Sequence, residues 1–228
     1  MEDVIIQSAS AFFNVLLEQD RSLIFRGEGR VDWPLLCKVG RCYVSGSQRR
    51  DPLLERYPEI EITILEEFKR RSLPYIHRIP ENDWEWLALA QHQGLPTRLL
   101  DWSTNPLVAA YFAIWENYVG DSVIYVCSRK DLGLGRRSQS PFSLDQDVLF
   151  EPTHTSSRIT AQSSLFTVHS DPRKAFCRPS LRRLIIKQEC LIELGIALEK
   201  FGMTDAILFP GMEGVSKSLK HKFMFYEG

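Results

Sequence analysis

Cysteine is scarce in this chain: five thiols, at 37, 42, 127, 177 and 190, odd in number and without a CxxC pair. That pattern excludes a small disulfide-stapled fold. Cys37 and Cys42 have no His or Cys partners at the usual zinc spacing, so no metal is expected. Long apolar runs are missing as well, and none approaches the ~20 residues that span a bilayer. With no signal-like apolar run near Met1, the expectation is a cytoplasmic protein with reduced thiols and no membrane partner. One-sided charge is lacking: a net charge of −1 gives no footprint for indiscriminate nucleic-acid binding, although a local patch stays open. There is no GxGxxG, P-loop or nucleophile elbow, and no internal repeat.

What is present suits one large domain, residues 1–228. Apolar residues make up 44% of the 228, enough for a real core. Residues 8–19 have the apolar density of a helix capped by Ser8 or Ser10. Leu23-Ile24-Phe25 reads as a short buried strand ending at Arg26, broken by Gly27 and Gly29, with 30–52 irregular. Residues 59–71 predict a helix with Ile60, Ile64 and Phe68 in one row. Asn82, with Glu85 three residues on, predicts a capped helix that ends near Gly94. A helix over 106–117, strands at 122–127, 165–169, 181–187 and 206–209, and a short helix over 189–200 complete the pattern. The segment 131–160, rich in Gly, Arg, Ser and Gln at its start, reads as the most flexible part. Strands and helices mix without a strict βαβ rhythm, which favours α+β.

The most informative stretch is QHQGLPTRLLDWSTNPLVAAYFA at 91–113. Polar groups precede a helix for which Asn105 is a good N-cap and Pro106 suits the first turn. Such groups lie beside unsatisfied backbone donors, a natural place to grip an anion. A capped core helix with a polar lead-in explains the same residues.

Three segments resemble the bacterial FRG domain: FRGEGRVDWPLL at 25–36, QHQGLPTRLLDWST at 91–104 and RITAQSSLFTVH at 158–169. The resemblance runs over about residues 20–220 and closes with LFPGMEG at 208–214. A weaker resemblance is to ADP-ribosyltransferases. IFRGE is similar to their strand-end Arg element, and the Ser103-Thr104 turn before AAYFA is similar to their Ser-Thr element. It implies an α+β fold with a split mixed or antiparallel sheet flanked by helices, and NAD as substrate. It also implies Arg26 on the NAD phosphates and Ser103 with Thr104 bracing the nicotinamide side. The setting implied is bacterial conflict, as a toxin or phage-defence effector that modifies nucleic acid or protein, with a cognate antitoxin as partner. The strand-borne Glu of those enzymes is missing. Gln162 stands there, able to hydrogen-bond a ribose but uncharged. An acid from elsewhere would have to serve, Glu213 first and Glu151 second.

Read from chemistry alone, Arg26 is either an anion clamp, with Gly27 letting a ligand come close, or a lock on its own loop through Glu28 or Asp32. His92 is a base, a phosphate or ribose contact, or a helix C-cap. Arg98 is a second phosphate clamp or the partner of Asp101. Gln91 joins His92 and Arg98 as a candidate ligand contact, Trp102 reads as core, and Arg158 is a third cationic candidate. Two rival functions remain open: a nucleotide- or RNA-binding module without transfer, and a phosphodiester hydrolase with His92 as base.

Overall fold

The computed structural model describes residues 1–18, 20–47, 57–115, 120–153 and 157–225. Among them eight strands form one mixed sheet, and helices pack on it, an α+β fold. The strands are β1 (Glu2–Ile6), β2 (Leu23–Glu28), β3 (Leu99–Ser103), β4 (Ser122–Ser128), β5 (Gly133–Leu134), β6 (Val148–Phe150), β7 (Ser164–Val168) and β8 (Arg182–Ile186). Their order is β1-β8-β4-β2-β3-β7-β6-β5, parallel at the two edge pairs β1/β8 and β5/β6 and antiparallel between. The helices are α1 (Ala9–Leu17), α2 (Lys38–Ser47), α3 (Tyr57–Ser72), α4 (Asp83–His92), α5 (Pro106–Ile114), α6 (Ser157–Ala161), α7 (Leu191–Lys200), α8 (Asp205–Leu208) and α9 (Met212–Phe225).

The sheet is split in its middle. β2 pairs with β4 from Leu23 to Glu28, and β3 pairs with β7 along its whole length. Between β2 and β3 only Phe25 and Ser103 are in register, so the two halves part on either side of that pair. Alternation along the strands sorts the core. Phe25, Ile124 and Val126 face α1, α5, α7 and α8. Leu99, Phe166 and Val168 face α3 and α4. Ile24, Leu100, Trp102, Val123, Tyr125 and Leu165 fill the opposite face, covered by Leu35, Cys37 and Phe176. Burial in that layer pushes the Cys37 thiol up to about 12, so it stays protonated.

Local chemistry explains the element ends that matter for the site. Asn105 Oδ1 accepts from the Leu107 amide at 2.9 Å, and Pro106 opens α5, as its sequence predicts. Asn82 Oδ1 accepts from the Glu85 amide at 3.1 Å, while Glu85 turns its own carboxylate back to the Glu81 amide at 3.2 Å. Gly27 does not end β2. A Cβ there would sit 2.0 Å from the Ala109 oxygen and 2.5 Å from the Ala113 nitrogen. Its missing side chain therefore lets α5 lie directly on the strand.

Several expectations are corrected by tertiary packing. The irregular stretch 30–52 contains α2, its last residues lying outside those described. The row predicted for α3 is not the buried one: Glu61 and Leu65 are buried, whereas Ile64 is exposed, because Glu61 answers Arg98 inside the protein. The strand expected over 206–209 is α8, and α9 follows it. The helix predicted to reach 117 ends at Ile114, and 116–119 lie outside the described residues.

Candidate functional site

Where β2 and β3 part, the sheet opens into a cavity of about 300 Å³. Because the opening passes through the sheet, its lining mixes both faces. Arg26, Glu28, Trp33, Arg41 and Trp102 come from one side, and Phe25, Asp101, Ser103, Phe166 and the α5 residues Val108, Ala109 and Phe112 from the other. Gln91 and His92, at the end of α4, and Arg158 and Gln162, in and after α6, complete the wall. Four residues from distant parts of the sequence, Arg26, His92, Ser103 and Gln162, thus meet around one space.

Arg26 reaches across the gap. Its Nη1 donates to the main-chain oxygen of Asp101 at 2.9 Å, a ladder position that β2 itself does not fill. Its Nε and Nη2 donate to Glu28 Oε1 at 3.1 and 2.5 Å. The same oxygen accepts from Arg41 Nη2 at 2.8 Å. Burial works to raise the Glu28 carboxyl, but Arg26 and Arg41 outweigh it and hold the group below its ordinary value, charged. For Arg26, burial is likewise overcome by Glu28 and Asp101, and its guanidinium is held more firmly protonated. Glu28, rather than Asp32, is the acid that Arg26 meets; Asp32 pairs with Arg30.

Asp101 is the most accessible carboxylate of the lining, its side chain 52% exposed. Its Oδ2 accepts from Gln91 Nε2 at 2.7 Å, and Gln91 Oε1 accepts from the Thr97 hydroxyl at 2.7 Å. A polar chain therefore runs from the α4 end through Asp101 and Arg26 to Glu28 and Arg41. Ser103 Oγ donates to the Gln162 carbonyl at 2.7 Å and accepts from the Asn105 amide at 3.0 Å. It joins the α5 cap to the α6–β7 turn, where Ser163 takes a left-handed φ of 46°. The Gln162 side chain donates to the Leu208 oxygen at 2.9 Å, which fixes its amide at the cavity wall.

His92 Nε2 is buried without a hydrogen-bond partner, and so is Arg158 Nε. Burial lowers the His92 pKa, and the nearby Arg158 charge lowers it further against the opposing pull of Asp101 and Glu213. The neutral imidazole is therefore favoured. Arg158 packs over the Phe209 ring at 4.6 Å and meets Glu213 Oε2 through Nη1 at 3.3 Å.

Other expected site residues lie elsewhere. Arg98 does not line the cavity. It is 2% exposed and gives Nε and Nη2 to the equally buried Glu61 at 2.8 and 2.7 Å, while Nη1 donates to the Pro141 and His169 carbonyls. All three of its nitrogens are engaged inside the protein, away from the cavity, and Asp101 is not its partner. Glu151 pairs with Arg129 on the surface and Thr104 is exposed; neither borders the cavity. Glu213 sits in the first turn of α9, outside the lining, where it pairs with Arg158 and acts on His92 through its charge. Gly27 does border it, but its bare Cα is occupied by α5. The carboxylates actually at the cavity, Glu28 and Asp101, were not singled out from sequence as acids of the site. Their signal was position: Glu28 lies two along from Arg26 on the same strand face.

Residues 21–121 match the family model of the FRG domain. The matched segment contributes Arg26, Glu28, Gln91, His92, Asp101 and Ser103; Arg158 and Gln162 come from beyond it. Comparisons with curated proteins and with solved structures returned no match. No helix among the described residues is long and apolar enough to cross a membrane.

Proposed function

We propose that the cavity binds the nicotinamide-ribosyl part of NAD and transfers the ADP-ribosyl group to a nucleophile of a nucleic acid or a protein. One observation supports this above all: the split between β2 and β3 gathers two carboxylates, a neutral-leaning imidazole and aromatic walls around a single space. In the transfer, the C–N bond to nicotinamide breaks and its electron pair leaves with the base. Positive charge grows on the ribose, and a charged carboxylate within the cavity lowers that barrier. Asp101 is the accessible one, and Arg26 and Gln91 orient it. Glu28 is bound by two arginines and acts as the anchor of Arg26. The proton of the attacking nucleophile passes to the Asp101 carboxylate as the new bond forms. The volume is at the small end for ligand sites, suited to a ring and its sugar, with the rest of the dinucleotide passing the mouth.

The test is incubation of the purified protein with labelled NAD, following nicotinamide release and label on a nucleic-acid or protein fraction. Release that depends on Asp101 supports the reading. Binding without release favours the module that binds a nucleotide and does not react, which the full engagement of the Arg26 nitrogens also favours.

A further inference from the structure

We propose that His92 and Arg158 form the phosphate seat of this cavity, a proposal that rests on the reading of the cavity as a nucleotide site. Three arginines line the space, and they differ in what they have left to give. All three nitrogens of Arg26 already donate, to Glu28 and Asp101. Arg41 gives Nε to the Leu36 carbonyl at 2.9 Å and Nη2 to Glu28. Arg158 is different: its Nε is buried and makes no hydrogen bond. The other buried side-chain atom of the lining without a partner is His92 Nε2.

A buried donor with no acceptor is destabilising; Arg158 Nε is one, and His92 Nε2 becomes a second when the imidazole proton sits on it. The guanidinium can only donate, and an imidazole Nε2 that carries the proton donates too. The group that satisfies both must bring several acceptor oxygens and negative charge, which is what a phosphate offers. It would also balance the Arg158 charge that now opposes protonation of His92. Glu213, which bonds Arg158 through Nη1 from α9, holds the guanidinium from its other side and competes for its charge. Phe209 supports the planar group from below.

Affinities of wild type, R158Q, H92F, R26Q and E213Q for three probes separate the outcomes: inorganic pyrophosphate, ADP-ribose and nicotinamide riboside, which has no phosphate. The expected result is loss of pyrophosphate and ADP-ribose affinity by about tenfold or more in R158Q and H92F. Nicotinamide riboside should bind those variants as it binds wild type, which also reports that they are folded. E213Q should bind pyrophosphate several-fold tighter. If R158Q and H92F keep full pyrophosphate and ADP-ribose affinity, or only R26Q loses it, the seat is elsewhere and the proposal is overturned. If R158Q weakens all three probes equally, its role is structural and the proposal also fails. Should wild type bind pyrophosphate in an Arg158-dependent way but ignore NAD and nicotinamide riboside, the NAD reading fails and the seat stands.

Discussion

Arg26 Nη1 lies 2.9 Å from the main-chain oxygen of Asp101, bridging β2 and β3 where the sheet has stopped pairing. One side chain thus does two things: it closes the split and fixes the carboxylates that face the cavity. Removing it should affect both. Arg26→Ala should lower stability by about 3 kcal/mol, the usual scale for breaking one side of a buried pair. Thermal denaturation checks this, and adding Glu28→Gln to the same chain should recover part of the loss. A variant as stable as wild type would mean that the bridge contributes nothing to the fold.

The carboxylates should separate in their effect on turnover. Asp101→Asn should cut nicotinamide release by about 10²-fold or more, because charge on the ribose then loses its nearest accessible counter-charge. NAD affinity should change little. Glu213→Gln and Glu151→Gln should release nicotinamide at near the wild-type rate, since neither carboxylate borders the cavity. Steady-state rates and a direct binding measurement on the same samples decide it.

Gly27→Ala probes the seat of α5. The added methyl meets the Ala109 oxygen and the Ala113 nitrogen, which are backbone and cannot rotate away. The helix must lift from β2, at about 3 kcal/mol by the scale of overpacked cores. Since Val108, Ala109 and Phe112 line the cavity, ligand affinity should fall together with the melting temperature. An unchanged melting temperature would show that α5 does not pack on β2 as described.

Arg98 and Glu61 provide a contrast. Each side chain is 2% exposed; they pair with each other, and Arg98 also donates to two carbonyls and lies over the Phe142 ring. Arg98→Met leaves a buried carboxylate alone and should cost about 3–5 kcal/mol. The double replacement Arg98→Met with Glu61→Leu should be much nearer wild type in denaturant titrations, and neither should alter affinity for NAD beyond the loss of folded protein.

Acid should weaken the fold through His169. The ring lies in the core, its Nε2 at 3.2 Å from the Thr167 hydroxyl, and burial pushes its pKa down to about 4. Asp147 pulls it up, while Arg178, Arg26 and Arg98 press it further down. A histidine whose folded value lies below its unfolded one contributes fully above the unfolded value near 6.5. That contribution is lost as the pH falls from there towards 4, by at most about 3 kcal/mol. Denaturant titrations across this window should show the slope, and His169→Gln should flatten it.

Much of the site was legible in the chain. FRGEG and QHQGLPTRLLDWST mark two of its walls, and the Asn105-Pro106 cap predicts where α5 begins. Local rules suffice there, because caps and turns are made between residues a few positions apart. The roles of individual charges were not legible. Arg98 and Arg26 look alike in sequence, but one pairs with Glu61 in the core and the other bridges a gap in the sheet.

The sequence by itself determined an α+β chain with a segment that matches the FRG domain, a helix opening at Pro106 and a strand opening at Ser122. Tertiary structure alone decided that β3 exists, that α8 replaces an expected strand, and that Glu28 and Asp101 are the acids at the cavity. The physical reason is the same in each case. A short apolar run such as Leu99–Ser103 or Ala206–Phe209 is compatible with helix or strand, and the partner it packs against chooses. A carboxylate becomes part of a site through what lies across from it, and the partners of Asp101 lie 10 and 75 positions away along the chain.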